Sequence, residues 1–386
     1  MFNSRLILPI SIRHFNLCPK EKLAVDFLFA RTARNHDAQD GHFINVHSDD
    51  WIALLGRDCY KATLLSLMQK GIIETNGKYS VGNWPKSFRL TNCHRVPDFA
   101  EVEVSLRKKK PLQIKLDPAD AVCWGLIECF SKVKLPDSGK FDGWDRLLIQ
   151  EIRQRNFYAT RCTYGRFHSS FTGLNKAARR LLTTLGGESL IEVDVSCCQP
   201  LMLPTLMRLM GYSETKGLDE FISLCQSGTL YDFLATTCRE AGLMLGDCYK
   251  PGTWKQHWKS QDILRGHAKR SFILLLFCDC EMMLAHPMLK VIQRQFPAVA
   301  QFIWDAKEAC YQKLARDCQW AESRLMINQV CAYLMQQFGD IPLITIHDSI
   351  LTTERHIPHV ATAIRRFFGE MGINPGLKAN DILLCA

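Results

Sequence analysis

The chemistry of this chain concentrates in two short runs, each an apolar stretch that delivers an aspartate to its end. Leu190-Ile-Glu-Val-Asp194-Val-Ser196-Cys197 is the first, and Ile344-Thr-Ile-His347-Asp348-Ser349-Ile350 is the second. Short β-branched runs of this kind read as strands. Laid side by side, two such strands would turn Asp194 and Asp348 toward one pocket, a donor set suited to a pair of Mg²⁺ ions serving phosphoryl transfer. Each acid also has a plainer reading. Asp194 precedes the helical pattern from Leu201 to Met210 and could cap it, and Asp348-Ser349 could be an ordinary turn. A carboxylate in such apolar surroundings is costly unless something pairs it, and metal ions shared by the two acids would do so.

Between the acids lies Gln261-Asp-Ile-Leu-Arg265-Gly-His-Ala-Lys269-Arg270-Ser-Phe-Ile273-Leu-Leu-Leu-Phe277. Its pattern predicts one long helix, on which Arg265, Lys269, Ile273 and Phe277 advance in steps of four along one side. Two cations followed by two apolar residues could meet phosphates and then a base and sugar. A surface amphipathic helix is the alternative. Just upstream, Trp254-Lys255-Gln-His257-Trp258-Lys259 interleaves aromatic and basic residues, as platforms for single strands do. Tyr164-Gly165-Arg166-Phe167-His168-Ser169-Ser170 with Lys176, Arg179 and Arg180 offers donors that could line a nucleic-acid backbone.

The elements that must position these residues form three stretches. Residues 1–100 read as a small winged-helix-like domain, with helical patterns over Glu21–Arg34 and Tyr60–Gly71 and a Ser48-Asp49-Asp50 cap before Trp51. Gly71 closes the second helix, and Asn76-Gly77 predicts a tight hairpin whose returning strand is Phe88-Arg-Leu. Tyr60–Gly71 carries only Lys61 and Lys70, so DNA contact and a packing role are equally compatible with it. Residues 101–160 read as a basic linker, Arg107-Lys-Lys-Lys110, followed by helical, thumb-like segments. Residues 161–386 hold the chemistry.

At 386 residues the chain is long enough for two or three domains. A net charge of +9 is compatible with a polyanionic partner. The seventeen cysteines include no Cys-x-x-Cys pair, so they read as reduced thiols and not as zinc ligands or a disulfide framework. No apolar run reaches membrane-spanning length, and the first ten residues lack the features of a cleaved leader. Cytoplasmic residence without a membrane partner is the expectation.

The acid–base–acid order resembles the palm and fingers of family A DNA polymerases and the related single-subunit phage and mitochondrial RNA polymerases. Asp194-Val-Ser196-Cys197 is similar to their first metal-binding motif, in its RNA-polymerase form. Arg265-x₃-Lys269-x₃-Ile273-x₃-Phe277 is similar to their fingers helix, and His347-Asp348-Ser349 to their third motif. Gly165-Arg166 and Gly228-Thr-Leu230-Tyr231 resemble flanking segments, so the likeness spans roughly residues 161 to 365. It implies an α+β right-hand polymerase fold, an antiparallel palm sheet with helical fingers. It further implies that Asp194 and Asp348 bind two Mg²⁺, that Lys269 neutralises charge on pyrophosphate, and that Arg265 holds the outer phosphates. Gln199 and His347 would position sugar or primer terminus. Phe277 stands where tyrosine is common and Gln199 where DNA polymerases place glutamate, and together these lean slightly toward deoxynucleotides. Glu322, in the helical pattern Trp320 to Leu334, is a candidate palm residue to which the resemblance gives no role.

The resulting expectation is a compact DNA polymerase of a phage, plasmid or integrated element. Template-primer DNA and nucleoside triphosphates would be its partners, with replication accessory proteins as further ones. An RNA polymerase or primase, a DNA-binding replication initiator with a degenerate palm, and a metal-dependent nuclease are the alternatives.

Overall fold

The computed structural model describes residues 2–78, 85–106, 113–141, 143–212, 215–243, 261–308, 310–380 and 382–384. It is a mixed α and β structure with small, mostly antiparallel sheets. Two compact units emerge, and they cut the chain differently from the three stretches read from sequence. One gathers residues 1–117, 131–160 and 168–190; the other gathers 118–130, 161–167 and 191–386. The region from 101 to 160 is therefore shared between the units, because the Ala121–Phe130 helix belongs with the second.

The first unit is built around the Pro19–Ala33 helix. Leu23, Val25, Phe27, Leu28 and Phe29 are all buried, so this helix is covered on every side instead of along one stripe. Asp26, one of its two buried acids, accepts a hydrogen bond from the backbone N–H of Ile7 at 2.8 Å. Ile7 lies on the Phe2–Pro9 strand, which pairs antiparallel with Phe99–Leu106. Helices Ser48–Leu55 and Tyr60–Gln69 follow, and Trp51 packs edge-on against Phe27 and Phe88 at 5.1 and 5.6 Å. Three short strands complete this part, with Ser87–Leu90 between Ile44–Asn45 and Ile73–Thr75.

Two local expectations are corrected here. Ser48 is the first helical residue and His47 the cap, which leaves Asp49 and Asp50 in the first turn facing the helix dipole. Asn76-Gly77 does not make a two-residue hairpin turn, since Thr75 pairs with Phe88 and residues 76–87 separate the two. Gly71, at φ +69°, does close the Tyr60–Gln69 helix.

The second unit carries a five-stranded sheet. Its strand order is Ile344–Ile346, Ser349–Thr353, Leu190–Val195, Leu377–Ala379 and Ile382–Leu384. The Asp348 hairpin thus lies directly beside the Asp194 strand. Helix Ile357–Gly369 packs on Ser349–Thr353, and helix Ala121–Phe130 on Ile344–Ile346. A helical rod runs from Tyr311 to Phe338, α-helical to Ser323, π-helical over Arg324–Cys331 and α-helical again from Ala332. Such π turns gather at functional sites because they re-aim side chains that a regular helix would misplace.

The end of the sheet tolerates no bulk where the Asp194 strand gives way to its helix. Ser196 donates its backbone N–H to the carbonyl of Gly376 at 2.8 Å. A Cβ on Gly376 would lie 2.4 Å from the carbonyl oxygen of Gln226. Gly376→Ala therefore forces backbone apart. A loss of roughly 2 kcal/mol or more in urea unfolding is expected, and an unchanged midpoint would contradict this packing.

Candidate active site

Asp194 and Asp348 are brought to one place by hydrogen bonding along the sheet. The backbone N–H of Val195 donates to the carbonyl of Asp348 at 3.2 Å. Asp348 sits in the two-residue turn between Ile346 and Ser349, which are paired partners. Asp194 lies within its strand opposite Lys378, and the helix that follows, Cys198–Leu209, is capped by Cys197 with no side-chain bond. The cap reading of Asp194 is thereby excluded.

Two adjacent cysteines show how charge is laid out around these acids. The Cys198 thiol is pushed well up by burial and then by Glu322, Asp348 and Asp194, with Arg166 opposing. The neighbouring Cys197 thiol is pushed up to about 11 by burial, with Arg265, Lys269 and Lys378 pulling it down. Carboxylates thus dominate the charge acting on Cys198, and cations, two of them from the Gln261–Phe277 helix, dominate that acting on Cys197.

That helix spans Gln261–Phe277. Ala268, Phe272, Leu275 and Leu276 are buried, whereas Arg265, Ile273, Lys269 and Phe277 are half-buried or exposed. The steps-of-four row is therefore the accessible side. Arg265 donates from Nε to Asp232 at 3.2 Å and lies over the ring of buried Tyr231, as does Lys269 at 6.0 Å. Both cations are thus braced by the Leu230–Glu240 helix, which the flagged segment Gly228-Thr-Leu230-Tyr231 introduces. Asp232 was missed in the sequence.

Glu322 is the other residue whose place only the structure reveals. It is 1% exposed, and Arg166 grips it with two bonds, Nε to Oε1 at 2.9 Å and Nη2 to Oε2 at 2.7 Å. Gln199 lies near enough to ease the Glu322 charge. Arg166, expected to meet nucleic acid, is thus held at one end by a carboxylate. Gly165, at φ +80°, lets the Arg166 loop approach the rod, since a Cβ there would stand 3.3 Å from that of Ser323.

Burial and the Asp348 charge push the Glu322 carboxyl up to about 7, with Arg166 opposing. Asp348 is raised by burial, while its own backbone N–H, Lys269 and Arg166 hold it down and Glu192 adds to the rise. Its residue surface is only half-covered; the packing around the carboxylate itself is what counts. Glu192, two residues before Asp194 and so on the same strand face, accepts a bond from Ser349 Oγ at 2.7 Å.

Backbone strain gathers here too. Of the four described non-glycine residues at positive φ, Cys197, His347 and Asn380 all border this sheet. His347, at φ +56°, is half-buried in the turn beside Asp348. Such strain persists only where surrounding structure enforces it.

The remaining expected nucleic-acid residues fall outside the second unit or outside the described residues. His168, Lys176, Arg179 and Arg180 belong to the first unit, where Arg179 donates to the carbonyl of Leu174 at 2.7 Å. Trp254, Lys255, Trp258 and Lys259 lie outside the described residues, as does the Arg107–Lys110 run.

Among the described residues no group of three or more His, Cys, Asp or Glu side chains is arranged to hold a metal by itself. Mg²⁺ commonly takes one or two carboxylates and completes its shell with waters and substrate phosphates. Glu192 and Glu322 are already engaged by Ser349 and by Arg166, so Asp194 and Asp348 are the carboxylates whose chemistry fits such an ion. No described helix is long and apolar enough to cross a membrane. Comparison with protein-family models gives no match, and no curated protein matches the chain.

Glu322 and Asp348 bind protons more tightly in the folded chain than in the unfolded one, where an ordinary glutamate titrates near 4.5. Stability from this pair is present at low pH and is lost as pH rises from about 4.5 through about 7. Urea unfolding in the presence of a chelator is expected to show that decline. Asp348→Asn removes one of the two opposing charges and is expected to flatten it; a variant as pH-dependent as the parent would refute the coupling.

Proposed function

We propose that this chain is a template-directed nucleotidyltransferase with a right-hand palm and fingers in its second unit. It would be a compact DNA polymerase of a phage, plasmid or mobile element, acting on template-primer DNA and nucleoside triphosphates. The observation that carries this reading is the placement of Asp194 and Asp348 on neighbouring strands, joined through Val195 and Asp348 backbones at 3.2 Å. The accessible cations of the Gln261–Phe277 helix act on the same short segment.

The reaction makes a bond from a primer 3′-hydroxyl oxygen to the α-phosphorus of the nucleotide and breaks the bond to pyrophosphate. Asp194 and Asp348 would hold two Mg²⁺ ions. When bound, these supply stabilisation of the attacking and leaving oxygens. Lys269, exposed on its helix and stacked toward Tyr231, donates to the departing pyrophosphate. Arg265 contacts the outer phosphates from a position fixed by Asp232. Ile273 and Phe277, two further turns along, offer an apolar face to base and sugar, and His347 lies beside the acid turn.

A second reading has its own observation. The N-terminal helices followed by a small sheet with Ser87–Leu90 at its centre are compatible with the winged-helix reading, which favours a DNA-binding initiator whose palm is inactive. The single-subunit RNA polymerase or primase is separated from the DNA polymerase by the sugar of the nucleotide used.

Primer extension with labelled nucleotides and Mg²⁺ tests these readings together. Synthesis by the parent chain is expected, with a drop of about 10³-fold or more in Asp194→Ala and in Asp348→Ala and of about 10²-fold in Lys269→Ala. Duplex binding without any synthesis favours the initiator. Degradation of the labelled strand without added nucleotide favours a nuclease.

A further inference from the structure

A pocket of about 460 Å³ opens among three helices of the second unit, Cys280–Ala285, Pro287–Gln295 and Pro297–Glu308. None of its lining residues has a role in the mechanism above. Its size falls in the range of small-molecule sites, roughly 300–1,000 Å³. Simple spacing in the sequence produces it. Pro297, Ala300, Gln301 and Trp304 recur at i, i+3, i+4 and i+7, so they share one face of their helix. Ala298, Val299, Phe302 and Ile303 are the residues that helix turns to the core. Buried Met283, Leu289 and Ala300 give the pocket an apolar floor. Half-buried Trp304 gives it a flat wall, and exposed Gln293 and Gln301 a polar rim.

One rim amide is held in a defined orientation. Gln301 donates from Nε2 to Oδ1 of Asp305 at 2.7 Å, and the Tyr212 hydroxyl donates to the other oxygen of the same carboxylate. A carboxylate only accepts, so the N–H end of Gln301 is the one turned to Asp305. Tyr212 is in turn fixed edge-on to Phe302, with ring centroids 5.1 Å apart. Burial and Asp305 push its hydroxyl up to about 12, so it stays a donor at neutral pH. Among the described residues Oε1 of Gln301 takes no hydrogen bond, and Nε2 has a second N–H to give. The amide therefore offers the pocket an acceptor and a donor side by side. The walls are fixed as well. Asp279 caps one helix through the N–H of Met282 at 2.8 Å, and His286 caps the next through that of Met288 at 3.1 Å. The buried Lys307 ammonium donates to the carbonyl of Cys278, which ties the third helix to the end of Gln261–Phe277.

We propose that this pocket is a nucleobase-binding site, with adenine the base its polar groups match best. A flat ring enters against Trp304, as bases stack on aromatic side chains, and rests on the floor of Met283, Leu289 and Ala300. An acceptor and a donor on one amide is the pairing that reads N6 and N7 of adenine, and Gln301 is already set for it. None of the eight lining residues is charged, so the group recognised is the neutral base and not a phosphate. An apolar side chain from another protein would gain nothing from an amide whose orientation Asp305 and Tyr212 fix. The base can come from a free nucleotide or from an unstacked position in a strand, and the chemistry in the pocket is the same for both. The assignment stands apart from the polymerase reading, since the two share no residue.

The test is equilibrium dialysis of the full chain with labelled adenosine, with a chelator present so that no metal-dependent nucleotide site contributes. Saturable binding of one adenosine per chain is expected, with Kd on the order of 10⁻⁴ M for a ligand of this size. Gln301→Leu, close in shape but without the amide, is expected to weaken adenosine by about tenfold. Purine riboside, which lacks the 6-amino group, should bind the parent about tenfold more weakly and lose less in that variant. Trp304→Leu should weaken both ligands alike, by about tenfold. Should Gln301→Leu fail to fold, Asp305→Ala replaces it, because it releases the same amide. No saturable binding up to about 5 mM, or an adenosine affinity indifferent to both Gln301→Leu and Asp305→Ala, overturns the assignment. Binding that Asp194→Ala abolishes belongs to the reaction centre and overturns it too. Competition separates the two sources. Displacement of adenosine by ATP alone marks a free nucleotide, and displacement by an oligodeoxyadenylate but not by an abasic strand of equal length marks a base in a strand. Either supports the site, and displacement by neither overturns it. A chain that binds adenosine in this way yet extends no primer loses the polymerase reading and keeps this site.

Discussion

The second unit depends on the crowding of carboxylates at one end of a small sheet. Asp194, Asp348 and Glu322 all act on the Cys198 thiol, and burial with mutual repulsion raises both Asp348 and Glu322. Like charges at such a place oppose folding unless cations or protons intervene. The chain supplies cations from three separate segments: Arg166 from a loop, Lys269 from a helix, and Lys378 from the strand opposite Asp194. The compensation is incomplete, as the raised carboxyls show.

Holding that arrangement requires backbone that ordinary residues avoid. His347 and Cys197 take positive φ at the two points where the chain turns away from its acids. Gly228 and Gly376 let helices and loops close on Ser196, which follows Asp194 by two residues. The π-helical stretch begins two residues after Glu322. Strain, close approach and irregular helix fall in the same small volume, as expected where a fold spends stability to aim side chains.

Much of the local layout could be read in the residues. The apolar runs ending at Asp194 and Asp348 are strands, and the Arg265–Phe277 row lies on one accessible helix side, because period and β-branching report local geometry directly. The reading went wrong where distant pairing overrode a local signal. Asn76-Gly77 begins a long connection, since the returning strand is set by the pairing of Thr75 with Phe88.

The sequence alone determined which stretches become strands and helices, which residues stand at their ends, and that two acids and a row of cations were available for chemistry. Those properties follow from periodicity and side-chain type, which act over a few residues. Only the tertiary structure decided that Glu322 joins the acids, that Arg166 is held by it, and that Asp232 and Tyr231 brace the cationic helix. Each of these is a contact between segments distant in the chain, fixed by burial and strand order, and no local pattern encodes its partner.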